Sequence, residues 1–412
     1  MNVFKKRNSI RVFLLLILLF GWMLWYVSAE AAEEDSNPAQ SQCVAPGTWL
    51  QMSDKKTISN SEIIKYMSGQ QVVLLGEHHD NPDHHRWQLQ VIAGLYALRQ
   101  DIAIGFEMFP REVQPVLDKW VAGELSEEQF LSQANWRGNW NFDPALYLPL
   151  FNFARLNHIP MIALNVNRSL FVEVQQKGWD AIPSERREGI TNPATPDRAY
   201  LEMLASSFVQ HHPGPKGHKQ KELDQFSPEE KRAFKRFVEG QQLWDRAMAQ
   251  AMANAANRDH APLIVGIMGS GHMMDGFGIP HQLADLGVKE NATFIPWDEQ
   301  LSCEDLVPKF AYAVFGIKTL ATEEEEKPRL GVYLEPANKG IKVAKVVEHS
   351  VAEASGIAVG DQILELAGQT VDNLNDVVTI VQRMVPGTWL PITVMRGDKR
   401  VDILAKFPPK TH

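Results

Sequence analysis

The sequence predicts an α/β domain on a mainly parallel sheet flanked by helices, followed by a small β-rich domain. Three observations predict it. From about residue 44 to 320, short apolar runs alternate with longer amphipathic stretches. The runs are apolar on both parities, as in strands covered by helices on both faces. An acidic stretch then breaks the pattern, and the short runs beyond it lack the long helical stretches of the first part.

The first 31 residues read as an export signal. Lys5, Lys6, Arg7 and Arg11 precede an apolar run from Val12 to Val27, and Ala29 and Ala31 supply a small-residue cleavage pattern. Sixteen helical residues rise about 24 Å, short for the ~30 Å hydrocarbon core, so cleavage is expected. The alternative is an uncleaved anchor that holds the chain to a membrane, with Trp22, Trp25 and Tyr26 at the interface. Either way the body is expected to be exported, periplasmic or in the cell envelope. No lipidation pattern precedes Cys43. In an oxidising compartment Cys43 and Cys303 can pair, tying the two ends of the first domain together.

Between residues 44 and 320 the predicted strands are Val72-Val73-Leu74-Leu75, Ile102-Ala103-Ile104-Gly105-Phe106, Met161-Ile162-Ala163-Leu164, Leu263-Ile264-Val265-Gly266-Ile267 and Thr293-Phe294-Ile295-Pro296-Trp297. The predicted helices span 83–99, 111–120, 145–156 and 227–257, the last opening on a Ser-Pro-Glu-Glu start signal. The Pro- and Gly-rich stretch 211–225 reads as a loop. Residues 321–328, with Glu323-Glu324-Glu325-Glu326 before Lys327 and Pro328, read as a solvated linker, and 329–408 as the second domain.

Charge excludes one large class of function. The chain carries −9, and its first 31 residues +3, so the remainder carries −12. A body this acidic lacks the basic footprint of a nucleic-acid binder.

Open parallel sheets bind ligands at the carboxyl ends of their strands. Glu77, His78 and His79 follow the first predicted strand, with His84 and His85 close behind. Glu107 and Arg111 follow the second, Asn165 and Arg168 the third, and Gly269-Ser270-Gly271-His272 the fourth. Two Gly-x-x-His elements, 76–79 and 269–272, thus close two different strands. Imidazoles beside carboxylates suit metal ligation or acid–base chemistry. Singly, each has a plainer reading: Glu107 caps a helix or pairs with Arg111, and His84 packs in the core beside Trp87 and Val91. Together, several ionisable groups on one rim make a site, because each is costly to bury unpaired.

The block Val73-Leu74-Leu75-Gly76-Glu77-His78-His79-Asp80 resembles the opening of the ChaN-like haem-binding uptake domain. So do Gly105-Phe106-Glu107-Met108-Phe109, Trp140-Asn141-Phe142-Asp143 with Tyr147 and Pro149, Leu164-Asn165-Val166-Asn167-Arg168, Gln242-Leu243-Trp244-Asp245 with Met248, and Gly269-Ser270-Gly271-His272. The resemblance covers nearly all of 65–300. It implies membership of the Tiki superfamily, an α/β fold, an envelope location, a link to iron uptake and haem binding, and it leaves open a homodimer that shares its haem. Candidate haem contacts are His78, His79, His84, His85, Tyr147 and His272, with Asn165 and Arg168 on the polar rim. The superfamily also holds hydrolases. Their pattern maps onto His79, Glu107 and His272, around a divalent metal ion; the candidate catalytic groups on the rim are Glu77, Glu107, Arg111 and His272.

The second domain resembles a bacterial PDZ domain. Arg329-Leu330-Gly331-Val332-Tyr333-Leu334 is similar to its carboxylate-binding loop and following strand, and Gly360-Asp361-Gln362-Ile363-Leu364 to its core signature. A C-terminal peptide tail of an envelope protein is expected to add a strand beside Val332, Tyr333 and Leu334, its carboxylate at Leu330 and Gly331, with Val377 and Val378 lining the pocket. Three classes of function follow: a haem-binding uptake protein with a peptide-docking module, a metal-dependent hydrolase, or an envelope scaffold with a vestigial site.

Overall fold

The computed structural model describes residues 43–211, 223–318, 328–337, 340–371 and 373–409. The predicted signal peptide, most of the predicted 211–225 loop and all but Pro328 of the acidic linker lie outside them. The chain divides into two compact units between Thr319 and Leu320.

In the first unit the described residues form an eight-stranded sheet. Its strands are β1 (Trp49–Gln51), β2 (Thr57–Ile58), β3 (Val72–Glu77), β4 (Ile102–Pro110), β5 (Met161–Asn165), β6 (Leu263–Gly269), β7 (Asn291–Asp298) and β8 (Ala313–Ile317). The spatial order is β2-β1-β8-β7-β3-β6-β4-β5. The pairs from β8 to β5 are parallel, and β1 and β2 add an antiparallel edge. The five predicted strands are therefore present, and the sheet is extended by β1, β2 and β8, which sequence reasoning passed over because their runs are short.

Adjacent residues of one strand feed opposite cores, the physical reason the runs are apolar on both parities. Val73 and Leu75 join a cluster with Ile63 and Met67 of α1 (Asn60–Ser68), Val91 and Leu95 of α2 (Pro82–Leu98), Leu117 and Trp120 of α3 (Gln114–Val121) and Phe151 of α4 (Leu148–Leu156). Val72 and Leu74 join a second cluster on the other face. Past α5 (Arg168–Lys177) and α6 (Arg198–His211), α7 (Pro228–Ala256) supplies Met248 and Met252 to that cluster, and α8 (Ile279–Asp285) supplies Leu283.

The helix ends obey their start signals. Asn81 caps α2 by accepting from Asp83 N, and Ser227 caps α7 in a capping box with Glu230. The predicted helices at 111–120 and 145–156 each begin as a 3₁₀ turn, Arg111–Val113 and Pro144–Leu146. Pro115 and Pro149 near the start of α3 and α4 set those boundaries, since proline suits the first turn. Cys43 and Cys303 are disulfide-bonded, Cα to Cα 5.3 Å, across 260 residues. Among the described residues no helix is long and apolar enough to cross a membrane.

The second unit is an antiparallel sheet in the order β14-β13-β11-β10-β9, with β12 beside β11. These are β9 (Val332–Pro336), β10 (Ile341–Val346), β11 (Gln362–Leu366), β12 (Gln369–Thr370), β13 (Trp389–Arg396) and β14 (Lys399–Lys406). Helix α9 (Leu374–Gln382) packs beside β9.

Candidate functional site

Strand β6 lies between β3 and β4, so Glu77 and Gly269 at the ends of β3 and β6 lie beside Glu107, which sits within β4 rather than after it because that strand runs on to Pro110 past a register shift. The two Gly-x-x-His elements meet here for steric reasons. A Cβ at Gly76 would sit 2.6 Å from Ser270 Oγ, and one at Gly269 would sit 2.9 Å from His79 Cε1. Only a missing side chain lets the His79 ring lie across the end of β6, close to Glu107.

Glu77 anchors the first half of the site. It is 1 % exposed. Its Oε1 accepts from His79 Nδ1 at 2.8 Å and from the Tyr147 hydroxyl at 2.6 Å. Its Oε2 accepts from Gln88 Nε2 at 2.9 Å and faces His85 Nδ1 at 3.4 Å. Burial alone would raise this carboxyl, but the bonds and charges of His79 and His85 hold it far below the usual range. Burial pushes the Tyr147 phenol far up, and the Glu77 charge adds to this, so Tyr147 stays a donor.

The histidines divide by their free nitrogens. His84 is closed: Nδ1 accepts from His78 N at 2.8 Å, and Nε2 donates to Asp298 at 3.2 Å. His85 is closed as well. Nε2 faces the His79 carbonyl at 3.1 Å, and Nδ1 faces Glu77 and the Gln88 carbonyl oxygen. The groups facing the two His85 ring nitrogens are all acceptors, which favours the protonated ring. Burial disfavours that charge, but the Glu77 carboxylate outweighs it and raises His85. His78 is exposed, its ring 5.2 Å from that of His84. His79, 30 % exposed at its side chain, has Nδ1 tied to Glu77 and leaves Nε2 toward the rim. The partly buried Trp140 and Phe142 flank its ring at 4.6 and 5.3 Å.

The second half centres on His272. Its Nδ1 lies 2.7 Å from Asp245 Oδ1 and its Nε2 3.5 Å from Glu107 Oε1. Glu107 Oε2 accepts from Gly269 N at 2.7 Å. Burial works against charge on His272, but the Asp245 bond and the fields of Glu107 and Asp245 raise it to about 9. At neutral pH it is therefore an imidazolium.

That charge competes with a cation for the expected metal triad. A cation would have to displace the Nε2 proton of His272, and one Glu107 oxygen already accepts from the Gly269 backbone. Among the described residues no group of three His, Cys, Asp or Glu side chains is placed to hold an ion. His79, Glu107 and His272 converge, but as two carboxylate–imidazole pairs. Arg111 points elsewhere, donating to the carbonyls of Glu188 and Ala247, each at 2.9 Å. Asn165 supports the rim by donating to the Glu107 carbonyl at 3.1 Å, while Arg168 is exposed at the start of α5. Tyr147 is buried beneath the site and not open to it. Sequence reasoning missed Gln88, Asp245 and Tyr200. Trp244-Asp245 stood in a recognised segment, but nothing local ties it to a histidine 27 residues on.

In the second unit Leu330 is buried and Gly331 has φ +82°, where a side chain would also collide with Ser350. The loop is pinned by its carbonyls: Leu330 O accepts from Ala352 N and Gly331 O from Val347 N. Val332 and Leu334 pack against the core from β9, while Tyr333 is exposed beneath Lys345. Val377 sits in that core at 2 % exposure, and Val378 faces outward at 46 %.

These features define a class: an α/β domain with its polar chemistry at the strand ends, followed by a small antiparallel β domain. The haem-binding uptake family (Tiki superfamily, ChaN) matches residues 63–283, and the PDZ domain family matches 328–406. The chain belongs to the ChaN-like haem-binding uptake family, with a PDZ domain after it. Among solved structures it is similar to one titled for cofacial haem binding to ChaN of Campylobacter jejuni, at 19 % identity and TM-score 0.51, covering 65 % of this chain and 95 % of that one. A serine endoprotease from Yersinia pestis is 25 % identical over 21 % of this chain and 30 % of its own, with TM-score 0.19. No curated protein matches the chain.

One consequence of the site is a pH profile of stability. His272 is raised from 6.5 to about 9, so its contribution is fully present below pH 6.5 and is lost as pH rises through about 9. His79 and His85 are raised and add in the same direction. Glu77 is depressed, so its contribution is present above its ordinary 4.5 and is lost as pH falls below it. The His272 part is worth roughly 3 kcal/mol at most. Urea midpoints should fall between pH 7 and 9.5, and His272→Gln should flatten that limb. An equally steep limb in the variant would remove His272 as its source.

Proposed function

We propose that this protein binds haem on the strand-end rim, where His79 Nε2 would hold the iron, and serves iron uptake in the cell envelope. One observation carries the reading: among the described histidines of the rim, His79 combines an open ring nitrogen with a buried carboxylate behind it and aromatic rings beside it. The residues fit the group. Imidazole is a common haem-iron ligand, and Trp140 and Phe142 offer flat apolar surface to a porphyrin. Glu77 holds the Nδ1 proton, fixing the tautomer and raising the basicity of Nε2, as carboxylates behind ligating histidines do. When bound, haem supplies the redox-active, coordinating iron. The chain's own part is to orient His79, exclude water with the aromatic flank, and keep His85 charged beneath. Haemin titrated into the full chain should give a saturable Soret shift; its absence would overturn the reading.

The PDZ domain supports a second activity, capture of C-terminal peptide tails from envelope proteins. The tail adds a strand beside β9, and the backbone N–H groups around Gly331 receive its carboxylate. With only a short strand and one pocket engaged, affinities should be on the order of micromolar. A library of free-carboxylate peptides should bind the full chain at least tenfold better than amidated copies, about 1.4 kcal/mol. Equal binding would remove the carboxylate loop from recognition.

A further inference from the structure

We propose that Asp245 and Tyr200 are positioning residues for His272, fixing which of its ring nitrogens faces the rim. The inference rests on the reading of the rim as the ligand site.

Asp245 is fully buried on α7. Both of its oxygens are engaged: Oδ1 by His272 Nδ1 at 2.7 Å, Oδ2 by the Tyr200 hydroxyl. A carboxylate held at both oxygens cannot swing, and as an acceptor it requires a proton on Nδ1. The other nitrogen, Nε2, is thereby turned to Glu107 Oε1 at 3.5 Å. Trp244 stands edge-on to the His272 ring at 6.1 Å and is itself stacked on Phe171 at 4.0 Å, which holds the ring plane.

Tyr200 reaches Asp245 from α6, where it packs with Leu204, Phe208 and Phe234 and stacks on Phe277 at 5.5 Å. That cluster is separate from the two cores that flank the sheet. The ring orientation at the rim is therefore set through a chain of groups, Tyr200 to Asp245 to His272 to Glu107, that begins outside the site. The charged or titratable groups acting on His272 are Asp245 from α7, Glu107 from β4 and His79 after β3.

The test follows the protons directly. In the full chain with ¹⁵N-labelled histidine, the His272 signals are assigned by their loss in His272→Gln. At neutral pH, Nδ1 of the wild type should show the shift of a protonated nitrogen. In Asp245→Asn that signal should be lost, because an amide can present a donor to Nδ1, which then gives up its proton and leaves a neutral ring protonated at Nε2 alone. Asp245→Glu should restore part of it, and Tyr200→Phe should give a mixture. A folded Asp245→Asn with unchanged His272 signals would overturn the proposal. If that variant does not fold, Tyr200→Phe decides: a mixture supports the chain of groups, and an unchanged spectrum overturns it. Haemin titrations of the same wild-type sample keep the two readings apart. A wild type that binds no haem would overturn the rim reading and leave the nitrogen assignment standing.

Discussion

His79→Ala should abolish the axial-ligand Soret shift while leaving the fold intact. The ring is 30 % exposed at its side chain, and Glu77 keeps its bonds from Tyr147 and Gln88 when it is removed. Stability should therefore change by only about 2 kcal/mol, the net worth of one hydrogen bond to a charged group. Haem affinity should fall by about a hundredfold or more, close to 3 kcal/mol. The closed rings provide the contrast. His84 and His85 have both nitrogens engaged, so replacing either should cost stability before it changes the spectrum of bound haem. A Soret shift that survives in His79→Ala and disappears in His78→Ala would move the ligand to the exposed neighbour.

Glu77→Gln should have the largest effect on stability, a loss of about 3–5 kcal/mol, the usual cost of breaking a buried ion pair from one side. Glutamine leaves the His85 imidazolium without its counter-charge and turns an amide donor toward groups that already donate. Tyr147, His79 and Gln88 all point hydrogens at this carboxylate. The same change removes the acceptor that fixes the His79 tautomer, so haem affinity should drop about 10–100-fold in whatever fraction remains folded. Urea unfolding measured beside haemin titration separates the two effects. A variant as stable as the wild type would show that Glu77 is not the charge that holds the site together.

Much of the fold was legible because the physics that forms it is local. Runs such as Val72-Val73-Leu74-Leu75 need no partner to be recognised as strands buried on both faces, and a Ser-Pro-Glu-Glu start needs none to open a helix. Edge strands are different. β1 and β2 span three and two residues, and their existence depends on β8 rather than on their own pattern. The rim was legible as a set of residues but not as a set of roles. Glu77 and His79 lie two residues apart, and their pairing follows from the turn that the strand end makes. Asp245 and His272 are brought together by α7 crossing the end of β6, and Tyr200 by a helix that sequence reasoning never placed. Which nitrogen of which histidine is free depends on such distant partners, and so a list of four neighbouring histidines reduced to two with open nitrogens.

The disulfide gives the first unit a property that its hydrogen bonds alone do not. A pull applied between the N-terminal segment and the C-terminal unit enters at Cys43 and passes directly to Cys303, bypassing every position between two cysteines 260 apart in sequence. Strands β1 to β7, and with them the whole histidine rim, are left out of the load path; of the sheet only β8, beyond Cys303, is in series with the tension. The backbone of the rim is thereby kept out of the covalent path that runs from one end of the first unit to the other.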